Sequence, residues 1–414
     1  IRTAENQMTI DLYSAQRRAF VCFSFATVAA SGLAARTFAA VEHTHQRLVD
    51  AARADSDTST ADYSADMSVP EAERQMKEMA IDVAPHVYAF HAPLPYGPAP
   101  LANETLIEQS DGLVLIDAGK TRGAGERIVA LIKSISAKPV KAVIITHWHQ
   151  DHVMGLGPIM EAWPTAKVIS SVATRDHILN EKSYAGSPLS LAETGERDRS
   201  RAKALAQYAK DYGANLRDPK LSGEERRGWA DVVGVLNLRI ADERGSYLVV
   251  PTVTFTRDYR IDDAIAPVEA RAIGRAHTDG DIIVWAPKQR VVASGDMIVS
   301  PIPYGGTNVL EWAATLRALR SLHPLAIVPG HGDVETDLTY VDKMIAALTE
   351  MTAKATRLAS GPALVDDSVQ AKIDLSAQRK IFAGDDRWLG YWFDGYFAPN
   401  AVEAYDELRK AKGK

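Results

Sequence analysis

The chain has 414 residues and a formal net charge of −6, with 46% hydrophobic and 24% charged residues. This balance is typical of a folded globular protein and excludes a wholly disordered chain, a collagen-like chain and a polytopic membrane protein. The mild acidic excess argues against nucleic-acid binding, which needs a basic face. Because Cys22 is the single cysteine, an intramolecular disulfide is excluded, and a bound metal needs histidine and carboxylate ligands.

Residues 1–40 have the pattern of an export signal. Arg17 and Arg18 precede a short apolar stretch, 19–33, and small residues follow it. A basic start, a short apolar run and a small-residue end define a secretory signal peptide, and the two arginines resemble a twin-arginine signal with Met8 as the start. We therefore expect a periplasmic or secreted protein without stable membrane insertion after processing. The alternative is a buried N-terminal helix.

After the signal, the chain divides into three predicted parts. Residues 41–78, rich in Ala, Asp, Ser and Thr, predict a linker or N-terminal arm because they offer little apolar surface to bury. Residues 79–345 alternate short strands with helical segments, which indicates an α/β domain, and 346–414 predict a helical, aromatic-rich C-terminal extension. Strands are predicted at 83–91, 101–109, 112–116, 140–145, 166–171, 281–286, 290–293 and 325–328.

The densest group of metal-binding residue types follows the apolar strand predicted at 140–145. The segment Thr-His-Trp-His-Gln-Asp-His contains His147, His149, Asp151 and His152. Residues two apart in an extended segment point the same way, so His147 and His149 can bind one ion while Asp151 and His152 face a second. Imidazole and carboxylate without thiolate favour zinc, with iron and manganese as alternatives.

Three further candidate ligands lie just beyond predicted strands. His277 lies in Gly-Arg-Ala-His-Thr before a strand, Asp296 in Ser-Gly-Asp after the next, and His331 in Pro-Gly-His-Gly after the last. Open α/β sheets place their sites at such strand ends, so we expect these side chains to join the first group in a binuclear site. Taken singly, each histidine is more often structural and the aspartate more often a turn residue.

The ordered set His-x-His-x-Asp-His, Gly-x-x-His-Thr, Gly-Asp and Pro-Gly-His-Gly resembles the metallo-β-lactamase superfamily. The resemblance implies a four-layer αββα sandwich with the metals at one edge of the two sheets. It implies two Zn²⁺ ions. The first would be held by His147, His149 and His277, and the second by Asp151, His152 and His331. The carboxylate of Asp296 would bridge the two ions. The best-known zinc β-lactamase branch has a cysteine near the last position, which this chain lacks.

The resemblance also implies the chemistry. A metal-bound hydroxide, oriented by Asp151 as the catalytic residue, would attack an amide, ester, lactone or β-lactam bond in a small-molecule substrate. The alternative from another class is an iron-dependent oxidoreductase or dioxygenase with the same ligands, and a hydrolytic dehalogenase is another member of the hydrolase class. The acidic charge and the export signal argue against nucleic-acid processing.

Three residues are candidates for supporting the site. Asp117, at the end of the strand 112–116, is expected either to fix the tautomer of a ligating imidazole or to cap a turn. Tyr304 can donate to an oxyanion, although a packing role is the more common one. Trp148 is expected to line the rim of the site.

Two predicted segments are additions to the minimal form of this fold. A charged helical insertion is predicted at about 190–240, and we expect it to form a lid over the substrate or a dimerisation element. The aromatic segment 386–397 of the C-terminal extension is expected to pack on the main domain or on a twin subunit of a homodimer. An apolar wall for an aromatic or acyl substrate is the alternative.

Overall fold

The computed structural model describes residues 79–91, 101–182 and 184–413. The predicted signal at 1–40 and the predicted arm at 41–78 lie outside these residues, so both stay predictions. In the described part, no helix combines the length and the apolar character that a bilayer crossing needs.

The first sheet has seven strands that neighbour one another in chain order. The first four strands pair antiparallel, and the last four pair parallel. Its members are β1 (Met79–Ala84), β2 (Val87–His91), β3 (Glu104–Glu108), β4 (Leu113–Ile116), β5 (Val140–Ile144), β6 (Lys167–Ser171) and β7 (Val253–Phe255).

The second sheet has five strands in the order β12-β11-β10-β9-β8. Pairing is antiparallel except between β11 and β12, which run parallel. Its members are β8 (Asp258–Ile261), β9 (Val268–Arg271), β10 (Ile283–Ala286), β11 (Val291–Ala293) and β12 (Ala326–Val328).

Helices cover the outer faces of both sheets and form the insertion and the extension. The helices of the main domain are α1 (Arg122–Ile135), α2 (Gln150–Val153), α3 (Leu156–Ala162), α4 (Val172–Asn180), α7 (Val309–Arg320) and α8 (Thr339–Ala359). The insertion contributes α5 (Gly195–Gly213) and α6 (Gly223–Asp242). The extension contributes α9 (Asp366–Lys372), α10 (Ser376–Ala383), α11 (Arg387–Trp392) and α12 (Asn400–Ala411).

The two sheets pack face to face across a shared apolar core. Val114 and Ile144 of the first sheet and Val284 and Val291 of the second belong to it, each almost fully buried. The opposite face of the first sheet packs on α1 and α3, and that of the second sheet on α7 and α8. This arrangement is the four-layer αββα sandwich that the resemblance implies, so the fold prediction is confirmed.

The strand predictions need two corrections. The strand predicted at 83–91 is the end of β1, a turn and all of β2, because His86 adopts a left-handed φ of 68° that reverses the chain. The strands β7, β8 and β9 were missed because polar and charged residues interrupt them. In β9, Val268 and Ala270 face the inter-sheet core while Glu269 pairs with arginine side chains.

The aromatic residues of the extension pack on the helical insertion. Trp388 and Trp392 of α11 lie against Trp229 of α6, with ring centroids 5.3 and 5.9 Å away. All three side chains are buried in one cluster with residues of α5. A Cβ at Gly228 would lie 2.6 Å from the Trp388 ring, so the tight approach requires glycine there. Phe393 and Phe397 of the same segment are buried in the core with α7 and α8. The segment therefore packs on the main domain and its insertion, as expected, and the homodimer stays a prediction.

Candidate metal centre

The seven candidate ligands come together at one edge of the two sheets. His147, His149, Asp151 and His152 follow the end of β5, and the strand directions bring three more loops to the same edge. The remaining side chains lie before β10, after β11 and after β12: His277, Asp296 and His331. They form two groups, and within each group the ligand atoms lie within 4.8 Å of one another. The first group contains His147, His149, His277 and Asp296, and the second contains Asp151, His152 and His331.

Asp296 lies between the two groups and presents one oxygen to each. Its Oδ2 atom is 3.8 Å from His147 Nε2 and 3.5 Å from His277 Nε2. Its Oδ1 atom is 3.2 Å from His152 Nε2 and 3.4 Å from His331 Nε2. This placement suits a carboxylate shared by two cations.

Glycines permit this crowding around Asp296. A Cβ at Gly330 would lie 1.9 Å from Asp296 Oδ1, and a Cβ at Gly295 would lie 2.5 Å from Thr146 Oγ1. Gly295 also has a left-handed φ of 50°, which glycine adopts without strain. Gly330 thus lets the Pro-Gly-His-Gly loop approach Asp296, and Gly295 lets the Ser-Gly-Asp loop approach Thr146, which follows β5.

The donor atoms fit bound metal ions. Among the residues that the structure describes, the Nε2 atoms of His147, His152 and His331 and the Oδ1 atom of Asp296 are buried and have no hydrogen-bond partner. Buried polar atoms are normally paired, because an unpaired one costs about 1–3 kcal/mol. Four such atoms pointing into one cluster are the arrangement that a cation would satisfy. The donor set of imidazole and carboxylate matches zinc.

The histidines of the first group favour the neutral form that binds metal. Burial lowers the pKa of His147 well below its usual value, with the charge of His152 as the next cause. Burial, followed by the effect of His277, lowers the pKa of His149 to about 3. Burial also lowers the pKa of His277. These imidazoles need not lose a proton to become ligands at neutral pH.

The second group has the opposite electrostatics. Burial disfavours the charged form of His152, but the carboxylates of Asp117 and Asp296 outweigh it and raise its pKa well above its usual value. In the same way, Asp296 and Asp151 outweigh burial and raise the pKa of His331 to about 9. Burial opposes ionisation of Asp151, yet Lys120 and His331 hold its pKa well below its usual value.

Metal loading is therefore expected to release protons from the second group. The raised pKa values favour protonated His152 and His331 in the metal-free protein, and each proton must leave before its Nε2 binds a cation. Protons compete with zinc for His331, and this competition ends as the pH rises towards about 9. For each proton released on binding, the apparent zinc affinity should therefore rise by up to about tenfold per pH unit. Calorimetric titration with zinc in buffers of different ionisation enthalpy measures the number of protons released. A value of zero protons would contradict the expected protonation of the second group.

Asp117 fixes the orientation of His152. Its Oδ2 atom lies 2.8 Å from His152 Nδ1 and accepts a hydrogen bond from Thr146 Oγ1, and its Oδ1 atom accepts from the Thr146 backbone N–H. The His152 ring therefore donates through Nδ1 and aims Nε2 at Asp296. Of the two roles expected for Asp117, the contact with a ligating imidazole is the one observed.

The Asp117→Asn variant is expected to weaken metal binding in the second group by about 10–100-fold. The amide can present its N–H₂ to His152 Nδ1, which forces the proton onto Nε2 and removes the lone pair that binds metal. Zinc titration followed by metal content after gel filtration measures the loss. Thr146→Ser keeps the hydroxyl donor to the same carboxylate, so it is the matched control and should bind zinc like the parent chain.

Backbone and side-chain contacts across the chain hold His331. Its Nδ1 atom lies 2.7 Å from the Leu101 carbonyl oxygen. The Asn103 side chain donates to the carbonyls of Pro329 and Gly332, at 3.0 and 2.8 Å. Asn103, which the sequence interpretation missed, therefore ties the loop on both sides of His331.

Asp151 and His149 mark the side from which the centre is accessible. The Asp151 side chain is 16% exposed and His149 is partly buried, whereas the other five candidate ligands are at most 3% exposed. Trp148 packs edge-on against His149 with the ring centroids 4.4 Å apart. This location is consistent with the rim position expected for Trp148.

Tyr304 lies beside the second group. Its ring centroid is 5.2 Å from that of His331 and 4.9 Å from that of Tyr396, which belongs to the π-helical turn after α11. Tyr304 is partly buried, so it combines the packing role with a position next to a candidate ligand. The C-terminal extension thus reaches the surroundings of the metal centre through this tyrosine pair.

The sandwich fold and the paired histidine and aspartate groups define a candidate binuclear metal centre at the edge of two sheets. The model of the metallo-beta-lactamase superfamily matches residues 99–331, more than half of the chain. The chain belongs to this superfamily.

Individual relatives are distant. The chain is 25% identical over 253 residues to a linear primary-alkylsulfatase from a Pseudomonas species, which covers 58% of this chain and 43% of the relative. It is 24% identical over 253 residues to metallo-beta-lactamase type 2 of Bacillus cereus, covering 59% and 73%. A solved metallo-beta-lactamase from Pontibacter korlensis has a TM-score of 0.46 at 16% identity, covering 66% and 99%. The chain thus spans less than half the length of the alkylsulfatase.

Proposed function

We propose that this protein is a zinc hydrolase that binds two Zn²⁺ ions and cleaves an amide, ester, lactone or β-lactam bond of a small molecule. The observation that carries the proposal is the convergence of seven side chains in two groups joined by Asp296, with four buried donor atoms that have no hydrogen-bond partner among the described residues. His147, His149 and His277 would hold one ion, and Asp151, His152 and His331 the other. Asp296 would contact both.

The residues of the accessible side would orient the reactants. Zinc held by these residues would supply two effects, a water pKa lowered towards about 7 and polarisation of a carbonyl oxygen. Asp151 is ionised and partly exposed, so its carboxylate can accept a hydrogen bond from the attacking water and fix its direction. Tyr304, whose ring lies 5.2 Å from that of His331, is the candidate donor of a hydrogen bond to the developing oxyanion.

Hydrolysis of a sulfate ester is the second candidate function. The alkylsulfatase similarity, 25% identity over 253 residues, favours it. The same ligand set can serve both reactions, because each needs an activated water and stabilisation of negative charge on oxygen. Identification of the substrate therefore distinguishes sulfate-ester hydrolysis from cleavage of an amide, ester, lactone or β-lactam bond.

A hydrolysis screen with metal analysis tests the proposal. The panel contains β-lactams, lactones, thioesters, aryl esters, alkyl sulfates and haloalkanes, with His149→Ala as the inactive variant. His323→Asn is the matched control, because His323 is an exposed histidine that precedes β12 whereas His331 follows it. Turnover retained in His149→Ala would contradict the mechanism. Stoichiometric iron without zinc in protein purified without added metal would favour an oxidoreductase or dioxygenase instead.

A further inference from the structure

A cationic cavity lies beside the candidate metal centre, and the site described so far does not use it. Its walls include Lys120 from the loop before α1, Arg197 and Arg201 from α5, and Glu243 after α6. The insertion therefore supplies most of the charged wall, and the main domain supplies Lys120.

Positive charge is in excess around this cavity. Lys120, Arg197 and Arg201 line it together with Asp198 and Glu243, which leaves an excess of one positive charge. The excess stays the same when the nearest charges outside the wall are added, because Arg239, which forms an ion pair with Glu243, is balanced by Asp151. The first turn of α5 adds the partial positive charge of a helix N-terminus. An anion is the ligand that such a cavity favours.

Arg197 is the cation with spare donor capacity. Its Nη1 atom is buried without a hydrogen-bond partner among the described residues, whereas Arg201, the other arginine of the cavity wall, bonds to Glu243. Arg239 also has a buried Nη1 atom without such a partner, but it does not line the cavity. Burial, followed by the charge of Arg201, lowers the pKa of Arg197 to about 10. A planar guanidinium donates to two oxygens of a carboxylate or sulfate at once, so this residue suits an oxyanion.

The cavity lies on the accessible side of the metal centre. Gln150, which lines it, directly precedes Asp151 in the chain. Both Lys120 and Arg239 act electrostatically on Asp151, which places the cationic groups near that carboxylate. A substrate with its reacting bond at the metals can therefore extend an acid group towards α5.

We propose that this cavity is an oxyanion site that binds the acid group of the substrate, so that the enzyme prefers substrates carrying a carboxylate or sulfate apart from the bond it cleaves. This inference rests on the proposed hydrolase function. It gives the helical insertion a role in substrate selection and names Arg197 as a specificity residue.

The first experiment compares matched esters. Monophenyl esters of succinic, glutaric and adipic acid vary the distance to the acid group, and their carboxamide analogues lack the charge. For the best chain length, Arg197→Gln should lower the acid-to-amide ratio of kcat/KM by about tenfold or more, the loss expected for one charge-assisted hydrogen bond. Arg197→Lys keeps the positive charge, so it should retain part of the preference for the acid over the amide. Arg199→Gln removes the same charge from an exposed position of α5 and should leave the ratio unchanged.

The second experiment needs no turnover and so separates this inference from the proposed function. Sodium sulfate stabilises folded proteins in general, so the sulfate effect is defined as the part of the Tm rise over sodium chloride at equal ionic strength that depends on Arg197. The zinc-loaded parent should show a larger rise than the zinc-loaded Arg197→Gln variant. An effect of sulfate without any effect on the ester ratio assigns the cavity to a free inorganic oxyanion and overturns the substrate role. No sulfate effect together with an unchanged ester ratio overturns the oxyanion site altogether.

Discussion

Asp296→Asn is expected to lower kcat/KM by at least about a thousandfold, which corresponds to several kcal/mol of lost charge stabilisation at the metals. The amide keeps the size of the side chain but presents one neutral oxygen and one N–H₂ group. Because Oδ1 and Oδ2 face different histidine pairs, the substitution turns a donor towards one of the two groups. That group should lose its ion, and metal analysis should find at least one zinc fewer per chain.

The control for this variant removes a carboxylate from the neighbouring loop. Asp333 lies two residues after His331, and its side chain is 95% exposed. Asp333→Asn should keep both the metal content and kcat/KM within about twofold of the parent, since exposed ion pairs contribute about 1 kcal/mol or less. Full zinc content and activity in Asp296→Asn would show that Asp296 does not contact the metals.

The candidate ligands could be predicted because each sits next to a short strand. His147 follows β5, Asp296 follows β11 and His331 follows β12, and the strand runs of Val, Ile and Ala are readable as apolar segments. Buried sheets place the ends of such strands at a common edge, so local sequence patterns were enough to group the ligands. The resemblance then supplied the pairing of the two sheets, which no local pattern contains.

The support around the ligands could not be predicted in the same way. Asn103 bonds to a carbonyl 226 residues away, and Asn in a loop carries no local signal for such a partner. Lys120 and Arg197 meet only because the insertion folds back onto the loop after β4. Charged residues on a helix ordinarily indicate a solvated face, so the sequence favoured an exposed position for Arg197. Thr146 directly precedes His147, so its hydroxyl was the one local feature that indicated a hydrogen bond supporting the site.

Asn103→Leu is expected to reduce both stability and metal binding. Asn103 is 5% exposed, and its amide donates to two backbone carbonyls that flank His331. Leucine has a similar size but leaves these carbonyls unpaired, at a cost of about 2–5 kcal/mol in the free energy of unfolding for the pair. The freed loop also lets His331 turn away from Asp296, so we expect the zinc affinity of the second group to fall by about 10–100-fold.

A matched pair of variants separates the two effects of Asn103. Asn103→Asp keeps the oxygen, 2.9 Å from His91 Nδ1, but loses the N–H₂ donors, so it should weaken zinc binding as strongly as leucine. His91→Leu removes the partner of that oxygen together with the exposed contact to Asp333, and it should change zinc binding by less than about threefold, because the loop around His331 keeps its two hydrogen bonds from Asn103. Zinc titration and urea unfolding of the metal-free proteins measure the two quantities independently. If Asn103→Leu lowers the free energy of unfolding but leaves the zinc affinity unchanged, the loop is stabilised by Asn103 while His331 is oriented by the Leu101 carbonyl alone.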